Sequence, residues 1–312
     1  MNEENLRKYH AHLEENKSRK INFYYAKKDY FLSRFLSEWQ SQKESQKTNE
    51  LNNLIFKGGT LLSRNYLEYH RISEDLDFTH CDCLKIRQLQ SKKERELGIK
   101  SRIKRIINEI KLISNNLGFE FETDRTNKKF IIMKNSRNIY MLKIYYGKEL
   151  SDYIKFEINF VEDLINSSNE LKINNLNDVL NLDKLYLETL GHKLTNLQIS
   201  SYPKEEIILE KFRATLTRES IKERDLFDLY LINKNKNIFC TDNKLILRKI
   251  VSGNFTMKES ESNFLSKKDL IMKSSWGDIE EDVELMSLIN FDRKDFNKFK
   301  EKLLIKLKEI YE

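Results

Sequence analysis

Hydrophobic positions change their spacing several times along this chain, and each change predicts an element. Within residues 1–46, Phe23, Tyr24, Tyr30, Phe31, Phe35 and Trp39 recur near helical spacing with no Gly or Pro among them. That predicts helix with a buried aromatic stripe. Leu54-Ile55-Phe56 is a short apolar run suited to a buried strand, and a helix is expected over 60–69. Alternation over 74–79 predicts a second strand. Ile99, Ile103, Ile106, Ile110, Ile113 and Leu117 mark one face of a long helix. Phe119–Phe121 and Phe130–Met133 read as strands, and Ile139–Tyr146 with Tyr153–Phe160 as a hairpin. Residues 174–193 read as helical. Tyr202-Pro203 then breaks the pattern, because proline disfavours helix in the residue before it. From Glu205 helical spacing runs almost to the end, with last helices at 278–290 and 293–311. The expectation is an α+β chain: residues 1–200 carrying the sheet, residues 201–312 helical.

Composition narrows this only a little. The 312 residues are 39% hydrophobic and 34% charged, enough apolar material for a packed core. The net charge of +7 permits a polyanionic partner without requiring one. Much of it gathers in residues 85–111, where ten Lys or Arg stand against three Glu, opposite the Ile99–Leu117 stripe. Such a face is either a solvated helix surface or a platform for a nucleic-acid backbone. Cys81 and Cys83, with His80 beside them, hint at zinc, but no second cluster completes a tetrahedral set. An odd count of three cysteines fits reduced thiols. A polar N-terminal stretch and the lack of an apolar run of about 18 residues lead us to expect a cytoplasmic protein with no membrane partner.

The chemistry concentrates in two places. The first is Lys57-Gly58-Gly59-Thr60, then Ser73-Glu74-Asp75-Leu76-Asp77. Glycines let backbone N–H groups approach an anion closely, although an ordinary strand-to-helix turn would look the same. In a strand, Asp75 and Asp77 share a face. Two such carboxylates repel unless a cation lies between them, and hard oxygen ligands suit Mg²⁺. Glu157 lies mid-strand opposite the apolar face of Ile154, Phe156, Ile158 and Phe160, which marks it as a third carboxylate. The second place is Lys211 with Arg218, seven apart on a helix face, followed by Asp225 and Asp228. Lysine can neutralise a β- or γ-phosphate as a compact charge, and the aspartates can orient Lys211 or Arg218.

Taken in order, these segments resemble a known family. Lys27-Lys-Asp-Tyr-Phe31, Phe56-Lys-Gly-Gly-Thr60, Arg71-Ile-Ser-Glu-Asp-Leu-Asp-Phe78, Tyr202-Pro203, Glu210-Lys211, Arg218 and Arg224-Asp-Leu-Phe-Asp-Leu229 are similar to the motifs of AbiEii-type nucleotidyltransferase toxins, related to the MenT toxins. The resemblance spans roughly residues 20–235. It implies a polymerase-β-like nucleotidyltransferase core, a mixed sheet flanked by helices, followed by a helical C-terminal domain contributing Lys and Asp to the active site. It implies the toxin of a toxin–antitoxin or phage-defence system, with an AbiEi-type antitoxin encoded nearby. The expected reaction moves NMP from an NTP, with Mg²⁺, to an RNA acceptor, the 3′ end of tRNA. Asp75 and Asp77, with Glu157, would hold metal. Lys57, Gly58, Gly59, Thr60, Ser73, Lys211 and Arg218 would hold nucleotide, and Asp225 or Asp228 would match the later acidic motif. The alternatives are transfer to a protein or small-molecule hydroxyl, and a non-catalytic nucleotide- or RNA-binding module.

Overall fold

The structure, a computed structural model, describes residues 3–15, 21–191, 194–256, 260–276, 279–280, 283 and 287–312. The chain divides into two units, Met1–Phe160 with Ser168–Ser201, and Val161–Ser167 with Tyr202–Glu312.

The first unit is built on a seven-stranded mixed sheet. Its strands are β1 (Leu54–Lys57), β2 (Asp75–His80), β3 (Ile131–Lys134), β4 (Ile139–Tyr145), β5 (Tyr153–Asn159), β6 (Asn169–Lys172) and β7 (Gln198–Ser201), in the order β3-β4-β5-β2-β1-β7-β6. The β4–β5 hairpin is antiparallel, as its alternation predicts. At the centre, β2 runs parallel to β5. One sheet face is apolar across its central strands. Phe56, Phe78 and Phe156 stack across three strands at centroid spacings of 5.0 and 4.5 Å. Helix α2 (Phe23–Glu44) covers them with Phe35 and Trp39. The aromatic stripe is thus core packing, the ordinary result for large apolar side chains at helical spacing.

After helix α1 (Glu3–Glu15) and α2, the next helices are the four-residue α3 (Gly58–Leu61), continued by a π-helical turn over Leu62–Tyr66, then α4 (Cys83–Gln88) and α5 (Lys92–Leu117). A Ser91/Glu94 capping box starts α5, and Gly118 at φ +70° ends it. Ile99, Ile103, Ile106, Ile110 and Ile113 are all buried beneath it. The strand expected at Phe119–Phe121 is only a single bridge, Glu120 to Tyr145, after which the chain turns away. Residues 174–191 form two short helices, α6 (Leu176–Val179) and α7 (Lys184–Thr189), not one long one. The rest of that expected helix, 192–193, lies outside the described residues.

The second unit is helical: α8 (Lys204–Thr217), α9 (Glu223–Asn235), α10 (Asn243–Thr256), α11 (Ser260–Met272) and α12 (Arg293–Tyr311). Phe296, Phe299, Leu303, Leu307 and Ile310 of α12 are buried, and Tyr230 of α9 packs on Phe296 and Phe299. Of the helix expected over 278–290, Ile279–Glu280 is instead a short strand, β9, paired in parallel with β8 (Ile221–Lys222); residues 278, 281–282 and 284–286 lie outside the described residues. Val161–Ser167 joins this unit through charge. Lys249, fully buried on α10, reaches Glu206 at 2.6 Å, Glu210 at 2.8 Å and Glu162 at 3.3 Å. Glu206 in turn accepts from the backbone N–H groups of Ile165 and Asn166. Among the described residues, no helix is long and apolar enough to cross a membrane.

Candidate active site

Strand register assembles the first cluster. Lys57 of β1, Asp77 of β2 and Glu157 of β5 stand directly opposite one another, and Asp75 stands opposite Lys155. In paired strands, opposed residues share a face. Asp75, Asp77 and Glu157 therefore lie together on the face opposite the phenylalanine stack. The sequence-expected third carboxylate is one strand away from the pair, in line with Asp77.

The Gly58-Gly59-Thr60 turn closes on this row. Gly58 has φ +82°, where a side chain is strained, and a Cβ there would collide with the Asp77 carboxylate. A Cβ on Gly59 would lie 2.7 Å from Arg71 Nη2 and 2.9 Å from Ser73 Oγ. Gly58 is thus needed for the turn to seat against β2, whereas at Gly59 a Cβ meets only side-chain ends of Arg71 and Ser73. Thr60 is buried, and its hydroxyl donates to the Asp75 carbonyl at 2.5 Å and lies 3.0 Å from Ser73 Oγ. Arg64, in the π-helical turn, fastens the segment to α2 through Asp29 at 2.6 Å and Ser33 at 3.0 Å.

Burial dominates the electrostatics of the row. Burial pushes the Asp77 carboxyl up to about 6, with Glu157 and Asp75 adding to the rise and Lys155 and Lys57 opposing it. A buried carboxylate whose neighbours raise it further is a position that a cation would relieve. Two aspartates and a glutamate supply hard oxygen donors, so the residues fit a divalent ion such as Mg²⁺. Lys155, on the same face of β5 as Glu157, donates to Asp75 Oδ2 at 2.8 Å. Lys28 of α2 pairs with Glu74, next to the aspartates. Neither contact is visible in spacing alone, because each joins residues far apart in the chain.

A different trio has its ligand atoms within 4.8 Å of one another: His80, Cys81 and Asp82. Both His80 nitrogens are engaged, Nε2 with Glu50 at 2.9 Å and Nδ1 as acceptor of the Asp82 N–H at 3.1 Å. Asp82 holds Arg102 and Lys85. This is a fold contact rather than a metal centre.

The second cluster is internal to the helical unit. Lys211 of α8 reaches Asp225 Oδ1 at 2.6 Å and Asp228 Oδ2 at 2.5 Å, both on α9. Arg218, just past the end of α8, pairs with the other oxygen of Asp225. Burial would raise the Asp225 carboxyl, but Lys211 and Arg218 outweigh it and hold the group below the usual range. Lys211 is buried and compensated in place, whereas the Arg218 side chain keeps 40% of its exposure. Lys267 of α11 donates to the carbonyls of Thr215 and Arg218. Burial, then the Arg218 charge, lowers its ammonium to about 8.

The basic segment lies elsewhere. Helix α5 packs on α2 over the apolar sheet face, and its outer residues Lys93 and Lys100 line a groove of about 600 Å³ with Met133 and Tyr140. Its charge is on the side of the sheet opposite Asp75 and Asp77. Some of that charge is already used: Arg102 binds Asp82 and Arg105 binds Glu50.

Comparison with known proteins adds a family. The model described as nucleotidyl transferase AbiEii toxin, type IV toxin–antitoxin system, matches residues 45–309. No curated protein matches. Among solved structures, MenT4, a nucleotidyltransferase toxin from Mycobacterium tuberculosis H37Rv, is similar at TM-score 0.53 and 17% identity, over 91% of this chain and 84% of that one. JHP933 from Helicobacter pylori aligns at TM-score 0.43 and 16% identity, over 93% and 95%. The likeness to MenT4 concerns the fold, a mixed sheet flanked by helices with further helices after it.

Proposed function

The chain belongs to the AbiEii nucleotidyltransferase toxin family of type IV toxin–antitoxin systems, and from that premise we propose that it transfers a nucleoside monophosphate from an NTP to the 3′ end of a tRNA. The family implies an antitoxin partner, which we take to be of the AbiEi type. An NTP donor and a tRNA acceptor also imply action in the cytoplasm. The observation that carries the reading is the alignment of Asp75, Asp77 and Glu157 on one polar sheet face against the Gly58–Thr60 turn.

In the reaction, the terminal ribose hydroxyl attacks the α-phosphorus, the Pα–O–Pβ bond breaks and pyrophosphate leaves. Asp75, Asp77 and Glu157 would hold Mg²⁺, which supplies positive charge against the triphosphate and favours the deprotonated hydroxyl. The backbone N–H groups of Gly58 and Gly59, with Lys57, Thr60 and Ser73, are assigned to the β- and γ-phosphates. Within the helical unit, Lys211, held between Asp225 and Asp228, and Arg218 form the second cluster of this reading, suited to phosphate charge. Arg218 is the member of that cluster with exposure to spare. The basic face of α5 is assigned to the body of the RNA, read by shape and backbone.

The test incubates each of the four labelled NTPs with total tRNA and Mg²⁺. Wild type is expected to label RNA with at least one NTP, and Asp75→Ala to label none while keeping its fold. A labelled protein band with unlabelled RNA would move the acceptor to a protein hydroxyl. Nucleotide binding without any transfer would make the chain a binding module.

A further inference from the structure

The carboxylate row already contains a cation. Lys155 stands directly opposite Asp75 across the parallel β2–β5 pair, with its Nζ 2.8 Å from Asp75 Oδ2. On its other side, across the hairpin, it faces Lys143, whose Nζ lies 4.8 Å from the centroid of the Tyr153 ring. Glu157, two residues on, has its own partner in Lys134 at 3.6 Å. The ligand atoms of Asp75, Asp77 and Glu157 do not all lie within 4.8 Å of one another, as those of His80, Cys81 and Asp82 do. An ammonium at hydrogen-bond distance occupies a carboxylate oxygen that an entering ion would need. Lysine is also a compact charge on a flexible stem, able to exchange one oxyanion for another.

We propose that Lys155 is an internal counter-ion that competes with the divalent cation for Asp75 and transfers to a phosphate oxygen of the incoming nucleotide, so that cation and nucleotide bind cooperatively. This rests on the reading of Asp75 and Asp77 as cation ligands. Lys155 thereby acts as a positioning residue. Before the nucleotide arrives it lowers the affinity for the ion and keeps the aspartates apart from a tight cage. Once the triphosphate offers a new partner, Asp75 is released to the ion. Coupling of this kind is reciprocal, so each ligand strengthens the other by the same factor.

The test measures Mn²⁺ binding to the full chain by the loss of the free-ion electron paramagnetic resonance signal. It is run alone and with each of the four α,β-methylene NTP analogues. Wild type is expected to bind Mn²⁺ weakly alone and about tenfold more tightly with at least one analogue. Lys155→Met should bind Mn²⁺ about tenfold more tightly than wild type without nucleotide and lose most of the enhancement. Lys155→Gln serves if the methionine variant does not fold, and Lys143→Met should behave as wild type. If a folded Lys155 variant binds Mn²⁺ no more tightly than wild type, the counter-ion proposal is overturned while the metal site stands. If wild type binds none with or without nucleotide, or if Asp77→Asn leaves binding unchanged, the metal-site reading itself fails.

Discussion

At the scale of single residues, the carboxylate row holds charge that the fold alone does not favour. Asp77 is raised from its ordinary value of 3.8 to about 6. In the metal-free protein this group therefore contributes stability that is full below about 3.8 and lost as pH rises through about 6. Asp77→Asn should accordingly raise the melting temperature at pH 7.5 without metal, and the gain should shrink as pH falls through about 6 toward 3.8. A difference from wild type that does not change with pH would contradict this. The two helix-associated glycines should separate in the same assay. Gly58→Ala forces φ +82° on a side chain that meets Asp77, and is expected to cost about 1–3 kcal/mol together with transfer activity. Gly98, inside α5 with only Leu89 near it at 3.6 Å, should gain about 0.5–1 kcal/mol on change to Ala. Urea unfolding reads both.

At the scale of elements, local signals were legible and long-range ones were not. The run Leu54–Phe56, the alternation over β2 and the β4–β5 hairpin are each written within a short local stretch of chain, and each forms. The parallel pairing of β2 with β5 joins residues about 80 apart, so spacing marked Glu157 as unusual but could not set it opposite Asp77. The same gap left Lys155 without a role. Strands β6 (Asn-Glu-Leu-Lys) and β7 (Gln-Ile-Ser-Ser) carry no alternation of large apolar residues and were missed. Phe119–Phe121 had the apolar content of a strand but only one bridging partner. In the helical unit, the Lys211–Asp225–Asp228 set was readable because Asp225 and Asp228 sit three apart on α9 and Lys211 lies on the helix just before it. The larger Lys249 network was not, since its carboxylates come from Glu162, Glu206 and Glu210. Lys249→Met would leave those carboxylates buried without their ammonium, at a cost on the order of 3–5 kcal/mol. Adding Glu206→Gln should return part of the loss. Equal stability of wild type and Lys249→Met in urea would show that the network is not holding α8 to α10.

At the scale of the whole molecule, the +7 charge permits a polyanionic substrate, while the basic face of α5 and the carboxylate row lie on opposite faces of one sheet. A change of Lys100 and Lys104 to Glu should therefore raise KM for tRNA and leave kcat nearly unaltered, as steady-state transfer assays will read. A fall in kcat of the same size would place that helix at the reacting end. The chain also passes between the two units three times, after Phe160, after Ser167 and after Ser201. A fragment of residues 202–312 lacks Glu162 and the Ile165 and Asn166 amides that satisfy Lys249 and Glu206. It should melt less cooperatively than the same fragment with 161–167 restored by a covalent linker. The inserted segment has a further consequence in time. During synthesis, Val161–Ser167 leaves the ribosome about 80 residues ahead of Lys249, an interval of roughly 4–16 s at about 5–20 residues per second. A nascent chain can complete its sheet at β7 within that interval, but its helical unit has no central cation until the interval has passed.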